Sequence, residues 1–282
     1  MTPSSLSRAT PGRASHAVAL ALTLVLVAIL LGVGVRASGG VTQLDGAFTA
    51  AAWRLRQPWL DETMMALSGF GDGLPRWWVT ALVSSYLVAT RRFRWAFALV
   101  AAMGASAVLA PALKLTFHTP RPSPLYVGVD AFSFPSGHAT SAAALYVILG
   151  ALAAEGLTNS WRRLALGLAA AMVTSISLSR VYLGAHWLSD VLAGAALGTA
   201  IAIAAIALAR GAEKDQPLAD RRKSIAIVVC LGVVAAGTGP IVVAKAHRLY
   251  APFLNRDVTQ PSAASAFSIR TTLHAPRPHS GP

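Results

Sequence analysis

The sequence predicts an all-α, polytopic membrane protein: a six-helix transmembrane bundle, with a seventh, C-terminal helix as a further candidate. Three observations carry this. Of the 282 residues, 55% are hydrophobic and only 12% are charged, whereas soluble domains carry about a quarter charged residues. The apolar residues collect in runs close to the roughly 20 residues that a helix needs to cross about 30 Å of hydrocarbon. The net charge of +13 comes from basic residues gathered between those runs, where they fix orientation. In a soluble chain such a charge would point to nucleic acid; here no nucleic-acid partner is expected. Cys230 is the single cysteine, so a disulfide within the chain and a thiolate metal cluster are both excluded.

The elements follow in order. Ala17–Val35 is the first run, preceded by Arg8 and Arg13. Val35-Arg36-Ala37 resembles a signal peptidase site, but the stretch is longer than most signal h-regions, so a retained helix is expected in an N-terminal segment 1–36. Val41, Leu44, Phe48, Ala52 and Leu55 then recur at helical spacing, with Asp45, Arg54 and Arg56 off that stripe. This predicts an amphipathic helix lying in the interface or capping the bundle. Leu74–Thr90, Trp95–Leu113, Ala139–Ala154, Leu164–Leu178 and Trp187–Ala209 complete the six runs. Gly194 and Gly198 in the last of them give a small-xxx-small pattern, read as the close approach of a neighbouring helix of the same bundle. A basic loop and the seventh run, Ile225–Ala244, occupy 211–246; Gly232, Gly237, Gly239 and Pro240 suggest a kink or a partly interfacial position. From His247 the chain is rich in Pro, Ser, Ala and Thr, and 247–282 is expected to be a disordered tail.

Charge sets the orientation. With the amino terminus cytoplasmic, that side holds twelve basic residues: Arg8, Arg13, Arg91, Arg92, Arg94, Arg162, Arg163, Arg210, Lys214, Arg221, Arg222 and Lys223. The other side holds seven, namely Arg36, Arg54, Arg56, Arg76, Lys114, Arg121 and Arg180. The excess places the amino terminus inside.

Several charges enter the apolar runs, where each costs on the order of 2.5–3.5 kcal/mol at the bilayer centre and so calls for a partner or a function. Lys114 ends the third run, Arg180 the fifth; His138 opens the fourth, and His186 and Asp190 open the sixth. In an alternating bundle these ends share one face, joined by Arg121 from the intervening loop. Lys114, Arg121 and Arg180 supply the cations and N–H donors that suit a phosphate. Ser136 and Gly137 read as a helix start, with a capping hydroxyl and free N–H groups for an anion. His186 and Asp190, four apart, share a helical face; the carboxylate can fix the tautomer that leaves the other ring nitrogen free to attack. His138 can protonate a departing alkoxide. A metal site from His138, His186 and Asp190 is disfavoured by the surrounding cations. His118 receives no role.

These residues resemble the type 2 phosphatidic acid phosphatase (PAP2) superfamily in three motifs. The first is Lys114-Leu-Thr-Phe-His-Thr-Pro-Arg121-Pro122, the second Pro135-Ser136-Gly137-His138, and the third Ser179-Arg180-Val-Tyr-Leu-Gly-Ala-His186-Trp-Leu-Ser-Asp190. The resemblance covers roughly Asp45 to Ala209 and assigns the catalytic bundle to 37–210. It implies a lipid phosphate or diphosphate phosphohydrolase working without metal or cofactor. His186 would attack phosphorus, oriented by Asp190, and His138 would protonate the leaving group. Lys114, Arg121, Ser136, Gly137 and Arg180 would hold the phosphoryl oxygens. Candidate substrates are undecaprenyl diphosphate, phosphatidic acid, phosphatidylglycerol phosphate and lipid A phosphates, at the periplasmic face of a bacterial-type inner membrane. The alternatives are a phosphotransferase using the same histidine and a non-enzymatic lipid-phosphate transporter. The oligomeric state is left open.

Overall fold

A computed structural model describes residues 12–37, 39–123, 125–210 and 221–254. Arg8, Lys214 and 255–282, on which parts of the sequence reading fall, lie outside the described residues. Among the described residues the structure is helical: α1 Arg13–Arg36, α2 Gly40–Arg54, α3 Pro58–Gly69, α4 Gly73–Ala89, α5 Phe93–Phe117, α6 Gly137–Ala154, α7 Asn159–Tyr182, α8 Leu188–Arg210 and α9 Arg221–Leu254. A single 3-10 turn, Gly128–Ala131, interrupts the α5–α6 loop.

Among the described residues, six helices (α1 and α5 to α9) are long and apolar enough to cross a membrane. Helix α4, with 17 residues, extends about 25 Å at 1.5 Å per residue and packs between α5 and α9. The protein is a multi-pass membrane protein. Apolar side chains turned outward, such as Leu22, Leu30, Phe97, Leu168 and Val228, form the surface that lipid tails cover. The seventh run is a full helix: the apolar stretch Ile225–Ala251 qualifies as a span, and α9 continues through Gly239 and Pro240.

Helix α6 is the core of the bundle, with fourteen buried positions and no strong polar face. It is hydrophobic all round because α5, α7 and α8 surround it. The α6–α8 contact explains the glycine pair. A Cβ at Gly198 would lie 2.0 Å from the Thr140 carbonyl oxygen, and one at Gly194 would lie 2.6 Å from that of Ser136. These glycines therefore bring α8 against α6 within one bundle.

Two features differ from the sequence reading. First, α2 turns its polar face inward: Thr42, Asp45, Thr49 and Trp53 are buried, while Leu44 and Leu55 of the apolar stripe are more than 60% exposed. The apolar side faces outward at the interface because Asp45 accepts hydrogen bonds from Ser189 N (2.8 Å) and Ser189 Oγ (2.7 Å). A separate helix, α3, follows it. Second, the helical chain does not end at His247. It runs to Leu254, because Tyr250 and Leu249 pack with Met65, Tyr182 and Leu183. Ala246 and Tyr250, both buried in that cluster and four residues apart, outweighed the polar composition around them.

Candidate active site

Four helix ends and one loop build the site. Helix α5 ends at His118, whose left-handed φ of 48° closes the helix and whose ring meets Phe132 edge-on at 4.5 Å; this is a structural role for the residue left unassigned. The chain then carries Arg121 across to α6. Ser136 caps α6, its Oγ accepting from Ala139 N at 3.4 Å, so the first N–H groups of the helix face the cavity at Gly137. Helix α7 ends in a turn made by Gly184 at φ +69°, where Ala185 N and His186 N both donate to the Arg180 carbonyl. Asp190 closes the start of α8, its Oδ2 accepting from Trp187 N at 2.8 Å. Cross-bonds stitch the three segments together: Ser136 N donates to the Asp190 carbonyl at 3.0 Å, and Trp187 Nε1 donates to the Pro120 carbonyl at 2.8 Å.

Of the eight residues singled out from the sequence, Lys114, Arg121, Gly137, His138, Arg180 and His186 line one cavity of about 340 Å³. Ser136 and Asp190 lie behind it, both fully buried. The geometry fixes the state of His186. Its Nε2 lies 3.0 Å from Arg121 Nη1. A guanidinium can only donate, so Nε2 is the acceptor and the ring proton sits on Nδ1. Nδ1 in turn faces Asp190 Oδ2 at 3.5 Å. Burial, and then the charges of Arg121, Arg180, Lys114 and His138, hold the His186 imidazole well below its ordinary value. The ring is therefore neutral near pH 7, with the lone pair of Nε2 available.

The cations are held by different means. Arg121 Nε donates to the Asp130 carbonyl at 2.6 Å, Nη1 also donates to the Ala185 carbonyl, and the guanidinium lies 4.1 Å above the Tyr126 ring. Arg180 is 1% exposed, and its hydrogen-bond partners are hydroxyls: Ser68 Oγ at 2.6 Å, Tyr126 at 2.7 Å, and Tyr250. Burial alone would raise the Tyr126 phenol, but the Arg180 charge, the hydrogen bonds from Tyr250 and Arg180, and the Arg121 charge outweigh it and lower it. Lys114 Nζ binds Asp130 Oδ1 at 2.7 Å. Burial would raise the Asp130 carboxyl, yet the Lys114 hydrogen bond and the Lys114, Arg121 and Arg180 charges hold it below the usual range. That carboxylate, 71% exposed, sits on Lys114 as a phosphate oxygen could. Among the described residues no cluster of three or more His, Cys, Asp and Glu side chains is gathered for a metal ion.

Sequence reasoning missed Arg76, Asp130 and Lys245, which line the cavity, and Ser68, Tyr126 and Tyr250, which hold Arg180. Arg76 and Lys245 had a signal, since each enters an apolar run. The hydroxyls had none, because Ser and Tyr are ordinary at helix ends.

Comparison with known proteins decides the family. The PAP2 superfamily profile matches residues 95–214. Decaprenylphosphoryl-5-phosphoribose phosphatase of Mycobacterium tuberculosis is 33% identical over 150 residues, which cover 51% of this chain and 78% of that protein. The chain belongs to the PAP2 superfamily. Phosphatidylglycerophosphatase B of Bacillus subtilis is 29% identical over 165 residues, 57% of this chain and 81% of that protein. The crystal structure of a transmembrane PAP2-type phosphatidylglycerolphosphate phosphatase from Bacillus subtilis superposes with a TM-score of 0.63 at 26% identity, covering 70% of this chain and 98% of that one. The chain is thus a membrane phosphatase of the PAP2 type.

Proposed function

We propose that this PAP2-type lipid phosphatase hydrolyses a lipid phosphate or diphosphate through a phosphohistidine on His186. The observation that carries the reading is the His186 ring itself: neutral, protonated on Nδ1 toward Asp190 at 3.5 Å, and presenting Nε2 beside Arg121 at 3.0 Å. When a phosphate enters, Arg121 moves its N–H from Nε2 to a phosphoryl oxygen and frees the nucleophile. Lys114 exchanges the Asp130 carboxylate for another such oxygen, and Arg180, the Gly137 N–H and the α6 terminus capped by Ser136 hold the rest. Phosphoryl transfer spreads charge over equatorial oxygens, and these donors supply the compensation that a metal ion supplies elsewhere. As Nε2 bonds to phosphorus, the ring gains positive charge that Asp190 stabilises. His138, at the α6 start, gives its proton to the leaving oxygen. Water then cleaves the N–P bond.

Both relatives are named for lipid phosphates, which supports a lipid head group as substrate. Arg91, Arg92 and Arg94 around the α4–α5 connection, Arg162 and Arg163 in the first turn of α7 and Arg210 at the end of α8 stand at the helix ends opposite those that build the cavity, and this clustering at short connections supports a cytoplasmic amino terminus and a site on the outer face of a bacterial inner membrane. The test is phosphate release by detergent-purified protein from undecaprenyl diphosphate, phosphatidic acid and phosphatidylglycerol phosphate, with and without EDTA. Release without an added acceptor, retained in EDTA and abolished in His186→Ala, is expected. Loss in EDTA would overturn the metal-free scheme, and dependence on a lipid acceptor would make the enzyme a phosphotransferase.

A further inference from the structure

The cavity holds a second cationic group that the mechanism above does not use. Arg76, on the first turn of α4, donates through Nη1 to Ser141 Oγ, and Ser141 Oγ donates to the Gly137 carbonyl at 2.7 Å. The same Nη1 approaches the Gly71 carbonyl at 3.5 Å, and a Cβ at Gly71 would lie 3.2 Å from His138 Cδ2. The guanidinium thus sits against the turn that carries His138. Its hydrogen-bond partners are neutral, and its Nε is buried without one. Lys245 of α9 lines the same cavity and binds Asp72, the cap of α4, at 2.8 and 3.1 Å. Two cations against one carboxylate leave this side of the cavity positive.

On the reading that His138 protonates the leaving oxygen, the group beside His138 is the leaving group and not the transferred phosphoryl. A glyceride alkoxide leaving with one proton needs no further cation. A leaving group that is itself a phosphate does. We propose that Arg76 and Lys245 form a second anion subsite for the inner phosphate of a lipid diphosphate, which names the substrate class. His186 Nε2 forms the bond to the terminal phosphorus, and the bond from that phosphorus to the bridging oxygen breaks. The bridging oxygen keeps the electron pair and takes the His138 proton, leaving lipid monophosphate on Arg76 and Lys245. Water then releases orthophosphate from His186. Arg76 and Lys245 both lie outside residues 95–214 matched by the family profile.

The test uses the full chain in detergent. Calorimetry compares orthophosphate with pyrophosphate, and turnover compares a polyprenyl diphosphate with the monophosphate of the same lipid. One charge-assisted contact corresponds to roughly 10- to 100-fold in affinity, so pyrophosphate binds the native chain at least about tenfold more tightly than orthophosphate. Arg76→Gln and Lys245→Gln each reduce that preference, and each lowers the diphosphate-to-monophosphate ratio of kcat/KM by about fivefold or more. Arg76→Lys, which keeps the charge, restores both readouts if Arg76→Gln has lost them. Equal binding of the two anions by the native chain, or a kcat/KM ratio unmoved in both Gln variants, overturns the subsite. Pyrophosphate preference without phosphate release from either lipid supports the subsite and overturns the phosphatase reading instead.

Discussion

Asp190→Asn separates the electrostatic part of the mechanism from its scaffolding. Asn keeps the size of Asp190 and an oxygen to accept from Trp187 N, which the carboxylate does at 2.8 Å, so the start of α8 stays closed. What is lost is the negative charge 3.5 Å from His186 Nδ1. A unit charge pair at that distance, with an effective dielectric of 20, is worth about 5 kcal/mol. The ring carries only part of a positive charge in the transition state, and the amide dipole replaces some of the stabilisation. A loss of about 3–4 kcal/mol is then expected, or roughly 10² to 10³ in kcat. KM should move little, since Asp190 is buried behind His186 and away from the lipid. The assay is steady-state phosphate release in mixed micelles, with thermal unfolding in the same detergent to show an intact fold. A folded Asp190→Asn protein with less than about a fivefold loss in kcat would refute the claim that charge develops on His186.

Three further outcomes follow from the same geometry. Because burial and the neighbouring cations depress His186 below its ordinary value of 6.5, its neutral form persists as pH falls, and the acid limb of kcat/KM should lie below pH 6.5. Arg121→Gln should move that limb upward, and a native limb at or above 6.5 would contradict the assignment. Asp130→Ala removes an exposed carboxylate from Lys114; competition from such a pair is worth about 0.5–1 kcal/mol, so the inhibition constant of orthophosphate should fall about two- to fivefold. Gly198→Ala would press a Cβ to 2.0 Å from the Thr140 carbonyl, and overpacking of this kind costs about 1–3 kcal/mol; a lowered Tm in detergent checks it, with no change meaning that α8 can shift freely.

Much of the site was legible because its residues violate the local rule of their surroundings. Lys114, Arg180, His138 and His186 stand at the ends of apolar runs, where a charge has to have a partner or a purpose, and the alternation of helices carries such ends to one face. Asp45 shows the opposite case. On a helical wheel it belongs to the solvated side of α2, and its burial against Ser189 follows from a neighbour 144 residues away that no periodicity reveals. Tyr126 and Tyr250 are similar: each is unremarkable in its own segment, and they become the holders of Arg180 when α9 packs beside the loop after α5.

Hydropathy, charge and helix alternation, all readable along one dimension, were enough for the membrane class, the order of the spans, the motifs and the face on which they meet. Tertiary structure alone decided which hydroxyls hold Arg180, which tautomer His186 carries, that the polar side of α2 faces the bundle, and that α9 brings Lys245 and Tyr250 to the site. Those outcomes rest on contacts between residues far apart in the chain, set by how helices pack in three dimensions.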